Sequence, residues 1–77
     1  MSTAIRMPQW GMGITEAAVL RWLKQPGDAV AEGEAIAEIE TAKAVGELES
    51  PVDGTVRELL VPEGATVPVR EPIAIVD

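Results

Sequence analysis

One lysine stands out as the residue whose type and position could do chemistry, and it lies within Glu40-Thr41-Ala42-Lys43-Ala44. A strand-like segment precedes it at 35–40, and another follows at 45–50. This pattern predicts a hairpin whose tip exposes a primary amine between two rigid strands. Such an amine can be acylated or can remain a solvated side chain, and lysines at turns are common. The pentapeptide alone therefore favours an ordinary turn lysine, and the context of the whole chain must decide.

The composition excludes most ordinary catalytic chemistry. The 77 residues include no cysteine and no histidine, which removes thiol nucleophiles, disulfides, the usual zinc ligands and the commonest general base. We therefore predict no catalytic residue and no metal site. A net charge of −7 and a pI near 4.4 argue against binding to nucleic acid or to anionic membranes. Without a membrane-length apolar run or a secretory signal, we expect a cytoplasmic, bacterial-type location, with an organelle as the open alternative.

Glycines and prolines divide the chain into short segments rich in valine, isoleucine and leucine, and none has a convincing helical period over ten residues. These segments predict an all-β chain of about eight short strands. The segment 17–24 has a composition that could support a helix, but it is short and Gly27 follows closely, so we predict a strand. The predicted strands are 4–7, 17–23, 35–40, 44–50, 55–61 and 72–76, with brief ones near Val30 and Val67.

The chain also repeats itself at a shift of 37 residues, so that Gly27 meets Gly64 and Val30 meets Val67. Two copies are too few for a solenoid. They suit a single domain, a flattened barrel or sandwich of two antiparallel sheets related by pseudo-twofold symmetry, in which each sheet covers the other's apolar face. The same repeat predicts that the chain termini lie together at the position equivalent to the Lys43 hairpin, at the opposite end of the domain.

In their order and spacing, these residues resemble a lipoyl domain, the carrier module of the E2 acyltransferase component of 2-oxo acid and acetoin dehydrogenase complexes. The resemblance runs from Ile5 to Val76, although no single motif in it is diagnostic. The segment Met7-Pro8-Gln9-Trp10-Gly11 is most similar to E2 chains of the acetoin or pyruvate type. The matching positions are Met7-Pro8, Gly11, Thr15-Glu16, Trp22-Leu23, Pro26-Gly27-Asp28, Val30, Gly33-Glu34, Glu38-Ile39-Glu40-Thr41, Lys43-Ala44, Glu47, Pro51, Gly54, Glu63-Gly64 and Val67.

The resemblance implies a barrel-sandwich hybrid fold and lipoic acid joined by an amide to Lys43, attached by a lipoate ligase or lipoyl transferase. It implies a non-catalytic domain that carries acyl groups and electrons between E1 (a thiamin-diphosphate dehydrogenase), the E2 catalytic domain and E3 (dihydrolipoamide dehydrogenase). The domain is expected to be monomeric and to be the N-terminal domain, residues 1–77, of a longer E2 chain. Recognition is expected at the hairpin residues Glu40, Thr41, Ala42, Ala44 and Glu47, and E1 contact at the loop residues Trp10, Gly11 and Met12.

Two departures from the family pattern lie close to the lysine. Ala42 replaces the aspartate that usually precedes it, which removes a carboxylate from the tip. Gly46 stands where a larger apolar residue is usual, and alternation along the strand turns this position inward, so we expect a tryptophan or leucine side chain to fill the space.

Other side chains near the lysine have two interpretations each. Glu40 and Glu47 are either recognised by the ligase or E1, or they keep an exposed edge soluble and unpaired. Trp10, Met12 and Ile14 either fold back to cap the core or form a partly exposed contact surface. Trp22, within a strand, is expected in the core.

Rival functions share parts of the pattern. A biotin carrier domain has the same fold and hairpin lysine, but it normally has methionine on both sides, whereas Ala42 and Ala44 favour lipoate. The glycine-cleavage carrier protein is also lipoylated, but it is longer and has additional helices. An unmodified lipoyl-like adaptor of a membrane-fusion protein would not need Lys43. A free-standing enzyme would need a carboxylate or lysine site in a pocket, and the sequence indicates none.

Overall fold

The computed structural model describes residues 2–77, and within this range the chain forms eight strands and no helix. Accordingly, no helix in the described range could cross a membrane. The all-β prediction is confirmed, and the ambiguous segment 17–24 lies mostly in a strand. The strands are β1 (Thr3–Arg6), β2 (Glu16–Trp22), β3 (Ala29–Val30), β4 (Ala35–Glu40), β5 (Val45–Glu49), β6 (Gly54–Leu59), β7 (Thr66–Pro68) and β8 (Pro72–Val76).

The strands form two four-stranded sheets, in the orders β1-β8-β6-β3 and β5-β4-β2-β7, and every pair is antiparallel. A shift of 37 residues carries β2 onto β6, β3 onto β7 and β4 onto β8, so the two sheets have equivalent strands in equivalent places. The shift also carries one break in the strand register onto another: the register shifts between Val19 and Arg21 in β2 and between Val56 and Glu58 in β6. The predicted pseudo-twofold sandwich is confirmed.

The core lies between the sheets and is built from inward-facing side chains, whose alternation along the strands is interrupted at Ile36-Ala37 and Ile73-Ala74. Val19, Ile39 and Ile73 are completely buried, and Ile39 lies next to the start of the hairpin turn. Trp22 is buried as predicted, and its indole N–H donates a hydrogen bond of 2.9 Å to the carbonyl of Val61. Because the shift in β2 brings Trp22 inward three residues after Val19, both side chains reach the same core.

The two chain ends meet as the repeat predicts. Thr3 pairs with Val76 at one end of the β1–β8 ladder, and the Ser2 hydroxyl donates a 2.7 Å hydrogen bond to the Asp77 carboxylate. The other end of this ladder, at Arg6, leads into the loop that reaches the lysine hairpin. The termini therefore lie away from Lys43 along the sandwich.

The start of β6 lies too close to the C-terminal segment to accommodate a side chain. A Cβ at Gly54 would overlap the carbonyl oxygen of Asp77 and would lie 2.8 Å from Val76 Cγ1. We expect Gly54→Ala to lower the free energy of unfolding by about 1–3 kcal/mol, because the start of β6 must move away from the end of β8 to make room for the methyl group. Urea denaturation measures this, with Gly11→Ala as the control, whose Cβ would meet Ile14 Cγ1 at an acceptable 3.4 Å. Equal losses in the two variants would contradict the close approach.

A carboxylate in the turn before β4 predicts a pH-dependent stability. Glu34 accepts hydrogen bonds from the Lys24 ammonium at 2.9 Å and from the Ala31 amide at 3.0 Å. The bond from Lys24, and then that from Ala31, hold the pKa of Glu34 below its ordinary value. The stabilisation is therefore fully present above the ordinary glutamate pKa and is lost as pH falls through the lower folded-state pKa.

We accordingly expect Glu34→Gln to unfold at a lower urea concentration than the parent chain near neutral pH. That difference should shrink as the pH is lowered through the folded-state pKa of Glu34, because the parent then loses the same charge. Urea titrations from pH 7 to pH 3 measure it, and Glu32→Gln, an exposed carboxylate of the same turn, is the control. A difference that stays constant over this range would rule out the ionic contribution.

Candidate functional site

Lys43 lies in the four-residue turn 41–44, between the end of β4 and the start of β5. Glu40 pairs with Val45 at the base, and the Thr41 amide donates a 2.8 Å hydrogen bond to the Ala44 carbonyl. Among residues 2–77 the only non-glycine residue with a positive φ is Arg70, so neither Ala42 nor Lys43 adopts the left-handed region. Alanine and lysine are therefore suited to this turn without strain, and the predicted hairpin is present.

The side chain of Thr41 holds the turn from inside. Its hydroxyl oxygen accepts hydrogen bonds from the backbone N–H groups of Ala44 at 3.1 Å and of Lys43 at 3.3 Å, and it donates one to the Ala44 carbonyl at 3.2 Å. Thr41 is buried, whereas the residues that follow it in the turn are exposed. The turn is therefore ordered by a buried hydroxyl that directs Lys43 into solvent.

The amine of Lys43 has one polar partner in the described chain, a carbonyl of the loop between β1 and β2. Lys43 Nζ donates a 3.4 Å hydrogen bond to the Met12 carbonyl, although 31 positions separate the two residues. Within residues 2–77 the ion pairs are Arg21–Glu38, Lys24–Glu34 and Arg57–Asp77, and none of them includes Lys43. Acylation of Nζ would therefore break no ion pair in this part of the chain.

The loop partly caps the core and partly faces solvent, so the interpretation as a cap holds for Ile14, and the contact surface expected at the exposed residues stays a prediction. Ile14 is 5% exposed and packs inward, whereas Met12 is 92% exposed. Trp10 is 40% exposed, less than Met12, because its ring covers Gly46 in β5. A Cβ at Gly46 would lie 3.1 Å from Trp10 Cζ3 and 3.2 Å from Trp10 Cη2. The expectation that a tryptophan or leucine fills the space at Gly46 is confirmed, and the residue is Trp10.

The two carboxylates predicted around the hairpin lie in different places. Glu47 is on β5, an outer strand of its sheet, opposite Glu38, which binds Arg21 at 2.9 Å. Glu40 is on β4, an inner strand, so protection of an unpaired edge cannot be its role. Instead it borders an open depression of about 340 Å³ beside the turn, lined by Glu16, Ala18, Glu40, Thr41, Ala42 and Thr66.

Sequence reasoning missed four participants in this site, which are Glu16, Ala18, Thr66 and the carbonyl of Met12. Glu16 and Thr66 reach the depression because β2 and β7 pair beside β4, with Ala18 opposite both Glu40 and Thr66. The 37-residue repeat makes β7 the equivalent of β3, but it does not say which strand β7 pairs with, so its place beside β2 is decided by tertiary packing. The carbonyl of Met12 had no signal in the sequence, because it is a backbone group brought to Lys43 by tertiary packing.

Chemically, the site can hold a group but has little with which to transform one. Lys43 supplies an exposed primary amine, and no set of three histidine, cysteine, aspartate or glutamate side chains within residues 2–77 could hold a metal ion. The nearby carboxylates border an open surface and not an enclosed pocket. An accessible amine on a rigid hairpin is an arrangement suited to covalent attachment.

Comparison with known proteins agrees with this geometry. The family model described as "Biotin-requiring enzyme" (Biotin_lipoyl) matches residues 3–76. The chain belongs to this biotin/lipoyl family. A member of the family solved in solution by NMR, the lipoyl domain of the 2-oxoglutarate dehydrogenase complex from Azotobacter vinelandii, superposes with a TM-score of 0.78. The two are 35% identical, and the match covers 96% of this chain and 94% of that one.

Two curated relatives are much longer E2 components. One is the dihydrolipoyllysine-residue succinyltransferase component of the 2-oxoglutarate dehydrogenase complex of Staphylococcus saprophyticus, 46% identical over 72 residues, which are 94% of this chain and 17% of that protein. The other is the dihydrolipoyllysine-residue acetyltransferase component of the pyruvate dehydrogenase complex of Staphylococcus epidermidis, 39% identical over 77 residues, which are 100% of this chain and 18% of that protein. The resemblance to a lipoyl domain is confirmed, and the chain corresponds to a small part of each relative.

The buried hydroxyl of the turn gives a test of its local order. We expect Thr41→Val to speed hydrogen exchange at the Lys43 and Ala44 amides about fivefold, the equivalent of one net hydrogen bond of about 1 kcal/mol. Thr41→Ser, which keeps the hydroxyl, should exchange like the parent chain. Amide exchange followed by NMR measures both, and equal rates in the valine and serine variants would show that the hydroxyl does not hold the turn.

Proposed function

We propose that this chain is a swinging-arm carrier domain that bears lipoic acid on Lys43, as an amide of Nζ. The observation that carries the proposal is the position of Lys43, exposed at the centre of a turn that two paired strands and the Thr41 hydroxyl hold in place. The alanines on both sides of the lysine favour lipoate over biotin. The lipoyl domain of Azotobacter vinelandii, similar over nearly its whole length, supports the same choice.

When attached, the dithiolane of lipoic acid supplies acyl-transfer and two-electron redox chemistry to the active sites of E1, the E2 catalytic domain and E3. The chain itself contributes presentation. Its hairpin keeps Lys43 away from the termini, so a linker joined there would leave the arm free to reach other sites. Tethering then replaces a diffusional encounter by a high effective concentration, and the domain needs no catalytic residue of its own.

The surface around Lys43 is proposed as the part that partners recognise. Glu40, beside the depression on an inner strand, is the stronger candidate for contact with E1 or with the lipoate ligase or lipoyl transferase, because edge protection does not account for it. Glu47 on the outer strand is the weaker candidate. A partner would recognise the turn residues Thr41, Ala42 and Ala44 through the shape of their backbone, since Ala42 carries no carboxylate.

The loop residues Trp10, Gly11 and Met12 are proposed to add a contact surface for E1. Trp10 and Met12 expose apolar side chains next to the lysine, and such exposure is frequent at interfaces. The loop is joined to the hairpin through the Met12 carbonyl and the Trp10 ring, so a partner that binds the lysine would meet both.

We further propose that the domain is monomeric and is the N-terminal domain of a longer E2 chain of a 2-oxo acid or acetoin dehydrogenase complex. The similarity to less than a fifth of the length of two E2 components supports membership of such a chain. The N-terminal position and the cytoplasmic location remain predictions.

Modification in vitro tests the assignment. The chain is incubated with ATP, lipoate and lipoate ligase, and separately with ATP, biotin and biotin ligase, and the products are weighed by mass spectrometry. We expect a lipoyl mass increase on Lys43 and none from biotin. Lys43→Arg should fold, because the side chain is exposed, and should remain unmodified.

Lys24→Arg is the matched control, since Lys24 is the other lysine of the sequence and its charge pairs with Glu34. This variant should be lipoylated like the parent chain. A biotin increase without a lipoyl increase would replace the proposal by a biotin carrier, and lipoylation of Lys43→Arg would overturn the attachment site.

A further inference from the structure

The middle of the β1–β2 loop, residues 10–13, reaches the lysine hairpin at two points. The Trp10 ring packs on Gly46 in β5, and the Met12 carbonyl accepts a hydrogen bond from Lys43 Nζ at 3.4 Å. These contacts come from side chains and backbone of the same short segment. A change at one point can therefore move the other.

The N-terminal part of the loop is fixed independently of the hairpin. The Arg70 guanidinium donates a 2.7 Å hydrogen bond to the side-chain oxygen of Gln9, and the Arg70 amide donates one of 2.8 Å to the Met7 carbonyl. At the C-terminal part, the Gln9 side-chain amide bonds the Ile14 carbonyl at 3.2 Å, and Ile14 is buried. Between these anchors, residues 10–13 are tied to Ile14 by one backbone hydrogen bond, from the Ile14 amide to the Gly11 carbonyl at 3.2 Å, and they reach the hairpin through Trp10 and Met12.

The fit between Trp10 and Gly46 requires the absence of a side chain at position 46. A Cβ there would lie 3.1 Å from the nearest ring carbon, so even alanine would displace the ring by a few tenths of an ångström, and a branched side chain by more. Gly46 has an ordinary φ, so its lack of a Cβ is explained by the ring and not by the backbone. The Trp10 ring can therefore keep its place only while residue 46 has no side chain.

The contact has a consequence for the acylated lysine. Once Nζ forms an amide it is neutral but retains one hydrogen, and this N–H can still donate to the Met12 carbonyl. With that bond made, the acyl chain must leave Nζ on the side away from Met12. A hydrogen bond between two exposed groups is weak by itself. The bond from Lys43 Nζ therefore forms to a useful extent only if the Met12 carbonyl is held in place beforehand, because ordering that carbonyl costs free energy.

We propose that Trp10, packed on Gly46, is a positioning residue that fixes the Met12 carbonyl beside Lys43 Nζ and thereby sets the direction in which the acylated side chain leaves the hairpin. The relevance of this to an acyl arm rests on the function proposed above. The contact itself belongs to the chain and can be tested with any acyl group on Lys43.

The test uses the Lys24→Arg chain, labelled with ¹⁵N-lysine and acylated with the N-hydroxysuccinimide ester of octanoic acid. Lys43 is then the one lysine that gives a side-chain amide signal, so its N–H can be followed by ¹H–¹⁵N NMR. In the parent background we expect slow exchange with water and a positive heteronuclear NOE for this N–H. In Trp10→Ala and in Gly46→Val, exchange should rise about fivefold, the effect of losing one net hydrogen bond, and the NOE should fall.

A double-mutant cycle separates positioning from general stability. If the two residues act as one unit, Gly46→Val should change nothing further in the Trp10→Ala background. Trp10→Phe, which keeps a ring over Gly46, should retain much of the parent behaviour. Urea denaturation of the same variants is the control. Since valine suits a strand better than glycine, Gly46→Val should speed exchange of the Lys43 side-chain amide without a matching loss of stability.

Unchanged exchange and NOE of the Lys43 amide in Trp10→Ala and Gly46→Val would overturn the positioning role, and so would fully additive effects in the cycle. Neither outcome touches the proposed function, which is tested separately by the reactions of the parent chain and of Lys43→Arg with the ligases. Conversely, failure of lipoylation leaves the octanoylated chain as a complete test of the positioning role.

Discussion

The burial of one sheet's apolar face against the other is the interaction on which the rest of this structure depends. With 77 residues and no cysteine, the chain has no covalent cross-link to add to its core. Ile39, which is completely buried, sets the register of β4, and a slip of one residue would turn it outward. Because Ile39 points inward, Glu40 points to solvent and the turn that follows begins with the buried Thr41. The exposure of Lys43 is thus a consequence of how β4, an inner strand, packs its side chains into the core.

The pseudo-twofold repeat explains why the lysine and the termini occupy opposite ends. Each half supplies equivalent strands, and the Ile39–Gly46 pair, next to the pair that closes the hairpin, corresponds to the Thr3–Val76 pair near the chain ends. At this place one sheet has the turn that joins β4 to β5, whereas the other sheet has the two ends of the chain. Under the proposed function this separation would be useful, because attachment to a larger chain and attachment of a cofactor would not compete for the same surface.

The lysine is nevertheless part of a larger surface. The loop between β1 and β2 leaves one sheet and touches the hairpin of the other, through a tryptophan ring on Gly46 and a carbonyl at Lys43 Nζ. Ala42 removes a carboxylate from the tip, and the charges that remain close by are on the outer face of the second sheet. The surface around Lys43 is therefore built from the turn, an inner strand and the β1–β2 loop, and under the proposed function these three parts would share recognition and orientation of the arm.

Much of this protein follows from its sequence, because short β-rich segments, glycine and proline punctuation and a 37-residue repeat are local or one-dimensional signals. They determine the all-β class, the two equivalent sheets, the meeting of the termini and the hairpin that exposes Lys43. Only the tertiary structure decided that Glu40 lies on an inner strand while Glu47 lies on an outer one, and that Trp10 fills the space above Gly46. The contact of Met12 with Lys43 belongs to the same group. The two loop contacts join residues 36 and 31 positions apart, so they depend on how sheets and loops pack and leave no periodic pattern in the chain.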